Sequence, residues 1–297
     1  MSLSPGKARG LDTLATAEGV FAILAIDHRD SLRVVLPGEA TDSEIVDFKL
    51  DLIRGVGGAA SGVMLEPEFT LPQAIEAGAL PGSVGFMAAL EAQGYMGDPW
   101  AGPTTMMPGW SALDAKRMGA GAAKLLLPFS PVRVEHAAEQ ERVLGEVVGL
   151  CTDLDIALLV EPVAFGMLGP ERPSIVAETV RRLTNSGLDV LKLEFPGDPD
   201  DPSGWDDACA AVTDAASVPW VLLSSGVTYD AYKAQLEVAF RHGCSGFTGG
   251  RAIWSEAATA DQLSRAELIT GVVTDRITEL RDLAAATATP WRSLPAR

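Results

Sequence analysis

Lys192 sits inside the apolar run Asp189-Val190-Leu191-Lys192-Leu193-Glu194-Phe195-Pro196. A run this short, rich in branched residues and closed by Pro-Gly, reads as a buried parallel strand. An ammonium buried there is costly unless it is paired or gives up its proton. A lysine that has lost its proton attacks carbonyls, and the product is a Schiff base. Two other readings are open from this segment alone. The side chain can snorkel from the strand end to water, or pair structurally with Glu194.

Other strand-like segments also end in polar residues. The first ends in Asp27-His28-Arg29, the fourth carries Lys124, the fifth ends in Glu161-Pro162, the seventh in Ser224-Ser225-Gly226 and the eighth in Gly249-Gly250-Arg251. Any one of these is explained by a charge meeting solvent. Six together, with two lysines and two carboxylates among them, are not. Side chains alternate along a strand, so Lys192 shares a face with Val190 while Leu191 and Leu193 take the other.

Two lysines and two carboxylates in an apolar cup suit Schiff-base aldol chemistry. The attacking amine must be neutral, and a second ammonium nearby favours that. One carboxyl group shuttles protons through carbinolamine formation and loss of water. The other holds the lysines and contacts the hydroxyl whose proton leaves as the carbon–carbon bond breaks. This chemistry needs neither a cofactor nor a metal. Ser224, Ser225 and Gly226, then Gly249, Gly250 and Arg251, each precede a helix and offer backbone N–H groups and a guanidinium to a phosphate. His28 and Arg29 are placed to face a second anion, although Arg29 can equally pair with Asp27 or Asp30.

The elements that position these residues alternate from end to end. Strands are expected near 20–27, 61–66, 84–90, 122–128, 156–162, 189–195, 219–224 and 244–249. Helices are expected near 42–55, 70–78, 111–119, 133–150, 173–186, 203–216, 228–242 and 260–285. Thr41, Asp42 or Ser43 can cap the first helix, Ser174 with Glu178 the fifth, and Ser203 the sixth. Gly187 and Gly243 fall where a helix stops in the left-handed conformation. Eight strands, apolar on both faces and separated by helices, make a single-domain (β/α)8 TIM barrel over residues 1–286, with an irregular tail over 287–297. The open doubly wound sheet fits less well, because no Gly-rich dinucleotide turn follows the first strand. In the barrel the working face lies at the carboxyl ends of the strands, with phosphate bound after the seventh and eighth. The uncharged stretch 99–113, with Pro99, Pro103 and Pro108, reads as a long loop belonging to a lid or an interface.

The 297 residues carry a net charge of −17, which excludes a nucleic-acid partner and requires a local cluster of cations for any anionic substrate. Cys151, Cys209 and Cys244 have neither disulfide nor zinc spacing and read as buried thiols of a reducing compartment. No apolar stretch is long enough to span a bilayer, and the start, Met1 to Lys7, has no signal-peptide core and reads as partly appended. A soluble cytoplasmic protein acting on a small phosphorylated ketose, away from membranes, is expected. Barrels of this kind commonly assemble, so a homo-oligomer is expected as well.

At these residues the sequence resembles the class I aldolases of the tagatose-1,6-bisphosphate aldolase type and their sulfosugar relatives. The resemblance runs through Ala25 to Arg29, Ala123 to Leu126, Val160 to Pro162, Leu191 to Glu194 and Pro219 to Val227, and is tightest from Gly243 to Trp254. The Ser-Ser-Gly turn and Ser245-Gly246-Phe247 look more like the sulfofructose-1-phosphate enzymes. The resemblance implies Lys192 as the Schiff-base lysine and Glu161 as the proton shuttle. It implies Asp27 and Lys124 as their catalytic neighbours, with Ser224, Gly250 and Arg251 around the phosphate. The substrate it implies first is 6-deoxy-6-sulfofructose 1-phosphate, cleaved to dihydroxyacetone phosphate and 3-sulfolactaldehyde; the alternative is tagatose or fructose 1,6-bisphosphate. Such relatives often carry Gln where this chain has His28, which bears on recognition of the far end of the sugar.

Three rivals remain at this level. A metal-dependent aldolase needs a histidine cluster, yet of His28, His136 and His242 only the first lies at a strand end. A phosphosugar isomerase would use Glu161 as base without needing Lys192. A catalytically silent sugar-phosphate binder would need neither buried lysine.

Overall fold

The computed structural model describes residues 3–92, 98–166 and 171–293. Eight parallel strands close into a barrel in chain order: β1 (Phe21–Ala25), β2 (Gly62–Leu65), β3 (Gly85–Ala89), β4 (Ala122–Pro128), β5 (Ala157–Val163), β6 (Val190–Leu193), β7 (Trp220–Leu223) and β8 (Gly246–Gly249). Closure comes from β8 pairing with β1, where Phe21 lies opposite Gly246. Gly246 has φ of +135°, and a Cβ there would lie 2.0 Å from the Phe21 carbonyl oxygen, so only glycine lets the two strands meet.

The alternation expected for the strand of Lys192 holds around the barrel. Leu191, Leu193, Leu158, Val160, Leu125 and Leu222 face outward and join the large core shared with the helices. Phe21, Ile23, Ala25, Met64, Met87, Ala122, Leu159, Val190 and Val221 form a second, smaller core inside. The inward positions are therefore apolar at the lower end of the barrel. Further along β1 to β6 the same inward direction carries charge.

The eight expected helices occur in order, with differences at their ends, and Pro5–Asp12, Asp30–Arg33 and Arg251–Thr259 are added to them. Thr41 caps the helix Asp42–Val56 in a capping box with Glu44. Gly187 and Gly243 take positive φ as expected. Ser174 does not cap its helix: Arg172–Leu183 starts earlier, with Pro173 in its first turn and the Ser174 hydroxyl donating to the Glu171 carbonyl. Asp201, not Ser203, caps the 3-10 turn Pro202–Gly204 that leads into Trp205–Ala215. The expected last helix is broken into Gln262–Leu268, a wide π turn at Ile269–Val273, and Thr274–Thr287. The π turn lies where Ile269 packs onto Gly55, whose missing Cβ would lie 2.3 Å from the Ile269 Cγ2 atom.

The first and last described segments pack into the floor of the barrel, so the start, expected to be partly appended, is part of the fold from Leu3 on. The helix Pro5–Asp12 is capped by Ser4, and its Leu11 joins the inner core beside Leu14. Lys7 donates at 2.8 Å to Asp189, whose other donor is the Leu158 backbone N–H. From the other end, Trp291 is buried, stacks on Phe21 with ring centroids 6.5 Å apart, and donates its backbone N–H to Gly19. Residues 294–297 of the expected tail lie outside the described residues. Among the described residues no helix is long and apolar enough to cross a membrane.

Candidate active site

Continuing the inward direction past the inner core brings six charged side chains to the carboxyl ends of the strands: Asp27 after β1, Glu66 after β2, Glu91 after β3, Lys124 in β4, Glu161 in β5 and Lys192 in β6. All six are buried except Asp27, whose side chain is nevertheless only 9 % exposed. Each carboxylate needs a cation or N–H donors to remain ionised there.

Lys124 is the hub. Its Nζ lies 2.6 Å from Glu91 Oε1, 2.8 Å from Asp27 Oδ2 and 3.0 Å from Glu161 Oε2. The other Glu161 oxygen, Oε1, lies 3.0 Å from Lys192 Nζ, so this single carboxylate spans the two lysines. Lys192 also approaches the Met64 thioether at 3.4 Å. Neither alternative reading of Lys192 from its own segment applies. It points into the barrel, and Glu194 turns away to accept from the Ala164 N–H at 2.9 Å and to pair with Arg172 at 3.2 Å.

These contacts fix the charges. Burial opposes the charge of Lys124, but Asp27, Glu161 and Glu91 outweigh it and raise its pKa well above the ordinary lysine value. Burial would raise the Asp27 carboxyl, yet Lys124, Lys192 and His28 more than reverse this and hold it well below the usual carboxylate range. Lys124 is thus a fixed ammonium rather than an exchangeable one, and Asp27 a fixed anion.

His28 and Arg29, expected to face a second anion, are both packed into the site. Burial first, with the charges of Arg251, Lys192 and Lys49, depresses the His28 imidazole to about 3 despite Asp27 beside it, so the ring is neutral at ordinary pH. It rests edge-on against Trp254 and close to Gly250, on the near side of the cup. Arg29 is 2 % exposed and turned under β3, where its Nη2 donates to the Glu91 carbonyl at 2.9 Å and lies 3.9 Å from Glu91 Oε1. It meets Glu91, a partner the sequence reading did not consider, and supports the cup from beneath.

The loops after β7 and β8 come together as expected for an anion site. Ser224 Oγ accepts from the Gly250 N–H at 3.4 Å. Ser225 and Gly226 take successive left-handed conformations, with φ of +47° and +72°. The Arg251 guanidinium lies over Gly226, about where a side chain there would be, so glycine leaves room for it. Arg251 opens the helix Arg251–Thr259 directly after Gly249 and Gly250, which adds a helix N-terminus to the cradle.

Sequence reasoning missed Glu91 and the pair Lys49–Glu66. Lys49, from the helix Asp42–Val56, and Glu66 are both fully buried and in contact, and Glu66 also accepts from the N–H groups of Glu68 and Phe69 and from the Thr70 hydroxyl. The signal for both acids was the two-residue period: Met64 to Glu66, and Met87 through Ala89 to Glu91. His136 and His242 lie elsewhere, against the Gly102 carbonyl and Asp206, and no metal-binding cluster of His, Cys, Asp or Glu occurs among the described residues. The stretch 99–113 is strapped down, with Thr104 bonded to Gln140 and to the Leu126 carbonyl, and Trp110 to the Ala89 carbonyl.

Comparison with known proteins agrees with this arrangement. The chain is 27 % identical to tagatose 1,6-diphosphate aldolase 2 of Enterococcus faecalis, over 99 % of this chain and 98 % of that protein. It is 26 % identical to a tagatose 1,6-diphosphate aldolase of Staphylococcus epidermidis, over 99 % of this chain and all of that protein. In fold it is similar to a Schiff-base-forming fructose-1,6-bisphosphate aldolase, with a TM-score of 0.63, 19 % identity and coverage of 94 % and 99 % of the two chains. A fructose-bisphosphate aldolase from Slackia heliotrinireducens gives a TM-score of 0.66 at 16 % identity, covering 96 % and 91 %. Residues 21–256 match the model of the DeoC/LacD family aldolases, a span that takes in every strand and the loops after β7 and β8, and the chain belongs to that family of carbon–carbon lyases.

Proposed function

We propose that this chain is a class I aldolase that binds a ketose 1-phosphate as an iminium on Lys192 and releases dihydroxyacetone phosphate. The observation that carries this reading is the sharing of Glu161, one oxygen on each lysine. Lys192 gives its proton to Glu161 and attacks the C2 carbonyl; the new C–N bond leaves an alkoxide, which Glu161 protonates. Glu161 then takes a proton from the carbinolamine nitrogen and delivers it to that hydroxyl, which leaves as water. The C3–C4 bond then breaks as the C4 hydroxyl gives its proton to Glu161, anionic again after the loss of water, and the bond's electrons flow into the iminium to give an enamine, whose C3 later takes that proton back from Glu161. Asp27, held ionised, accepts a hydrogen bond from that hydroxyl. Lys124 remains charged throughout and keeps Glu161 facing Lys192. The aldehyde leaves, C3 is protonated, and hydrolysis frees Lys192. Ser224, Ser225, Gly226, Gly249, Gly250 and Arg251 hold the C1 phosphate.

For the other half of the sugar, the names of the relatives favour a 1,6-bisphosphate, tagatose first and fructose second. The sulfosugar 6-deoxy-6-sulfofructose 1-phosphate, expected first from the resemblance, becomes the second reading; Ser224-Ser225-Gly226 and Ser245-Gly246-Phe247 are what support it. Cleavage assays on the three ketose phosphates side by side rank them. Borohydride reduction in the presence of dihydroxyacetone phosphate is expected to add one adduct to the wild-type chain at Lys192 and none to Lys192→Met. Unlabelled wild-type protein, with isomerase turnover surviving in Lys192→Met, would overturn the reading in favour of an isomerase.

A further inference from the structure

Lys124 and Lys192 stand on neighbouring inward positions of the same cup, are both primary amines and are both within reach of Glu161. Only one can be the nucleophile, and something must set the other aside. Asp27 and Glu161 belong to the expected catalytic set and contact Lys124, but Glu161 is shared and so cannot by itself distinguish the two. Glu91, like Asp27, pairs with Lys124 and not with Lys192, and it makes the shorter contact. It is 1 % exposed, gives Lys124 its shortest contact at 2.6 Å, and has no recorded contact with Lys192 among the described residues.

Glu91 is itself fixed from three directions. Its Oε2 accepts from the Leu126 backbone N–H at 3.2 Å, on the same strand as Lys124. Its carbonyl accepts from Arg29, whose guanidinium also lies 3.9 Å from Oε1. A backbone bridge between Glu91 and Met106 pins the segment after β3 to the strapped loop. A carboxylate tied to the backbone of the strand that carries its lysine, with Arg29 and Lys124 on either side of it, holds that lysine in one place.

We propose that Glu91 is a positioning residue that locks Lys124 as a non-nucleophilic ammonium, directing Glu161, and hence Schiff-base formation, to Lys192 alone. This rests on the class I reading above. The groups around the Lys124 nitrogen are Asp27 from the end of β1, Glu91 from the end of β3 and Glu161 from β5, with Lys192 of β6 beyond Glu161, and Arg29 and neutral His28 behind Glu91 and Asp27. Removing the Glu91 charge leaves Lys124 with two partners, one of which Lys192 also claims.

The test uses Glu91→Gln, which keeps shape and removes charge, beside the wild type and Glu91→Asp. Turnover of the ketose bisphosphate by Glu91→Gln should fall by about tenfold to a hundredfold, with KM changed by less than about threefold, because general acid–base transfer through Glu161 is misdirected. Its pH profile should shift relative to wild type, and peptide mapping after borohydride trapping should find part of the adduct on Lys124. Glu91→Asp should keep the wild-type profile and the single Lys192 adduct. Wild-type turnover with a superimposable profile in Glu91→Gln would overturn the proposal. Should Glu91→Gln not fold, nitrogen NMR of the wild-type lysine side chains decides: Lys124 titrating between about pH 7 and 9, where a free lysine would still be charged, refutes the lock, and an unchanging ammonium signal supports it. A wild-type chain that traps no ketose at Lys192 fails at the class I reading instead, which separates the two failures.

Discussion

Replacing Lys124 by methionine would leave Asp27, Glu91 and Glu161 facing one another around an uncharged side chain of similar length. At the observed separations each lysine–carboxylate contact is worth about 6 kcal/mol at an effective dielectric of about 20. Most of this is offset by the desolvation that the wild type endures, and breaking a buried pair from one side costs roughly 3–5 kcal/mol net. The variant has one escape, which is to protonate a carboxylate. At about pH 7.5 that costs about 5 kcal/mol for a group of ordinary acidity, so the loss should sit near the top of the range. Lowering the pH to about 5 cheapens protonation by about 3 kcal/mol, at about 1.4 kcal/mol per unit. The folded variant then holds a proton that the unfolded chain does not, so its stability rises as pH falls. In the wild type these groups leave stability flat across this range. Asp27 is depressed in the fold, so its contribution is present above its unfolded pKa and lost as acid reaches the folded value; Lys124 is raised, so its contribution is full below the ordinary lysine value and lost only as pH rises through the folded one. Urea unfolding of both proteins at about pH 5 and about pH 7.5 reads this directly. A Lys124→Met chain that loses less than about 1 kcal/mol at the higher pH, or gains nothing on acidification, would refute the assignment of Lys124 as the charge that reconciles these carboxylates.

Two further outcomes are expected. Arg251→Ala should raise KM for phosphorylated ketose by about tenfold to a hundredfold with a smaller change in kcat, as loss of a charge-assisted phosphate contact does, and an unchanged KM places the phosphate elsewhere. Trp291→Ala should cost about 3–5 kcal/mol of stability by emptying the floor of the barrel, while kcat/KM of the remaining folded enzyme stays at the wild-type value; a selective loss of activity would contradict the separation of the two faces.

The barrel was legible because the strands are largely apolar on both faces and several helices announce an end with glycine or a capping residue. The catalytic charges were legible where they interrupt an apolar run, as Lys124 and Lys192 do. Glu91 escaped because it lies just past the strand, where a carboxylate reads as meeting solvent; only counting on from Met87 and Ala89 places it inward. Lys49 escaped for a different reason: on an amphipathic helix a lysine reads as surface, and its burial depends on Glu66 arriving from β2. The helix Pro5–Asp12 offers few apolar residues and was read as an appendage, whereas its burial follows from Leu11 and from Lys7 reaching Asp189. The surroundings of His28 and Arg29 were not legible, since neither burial of the imidazole nor the turn of the guanidinium towards Glu91 leaves a mark in the residue pattern.

Because amine and hydrophobe alternate along β6, losing or gaining one residue below Lys192 within the paired strand would swing the amine out among the helices and put a leucine in its place. Activity in this chain therefore cannot fade by degrees through indels in its strands; it is kept whole or abolished. Length variation that changes substrate preference has only the connecting loops to work with.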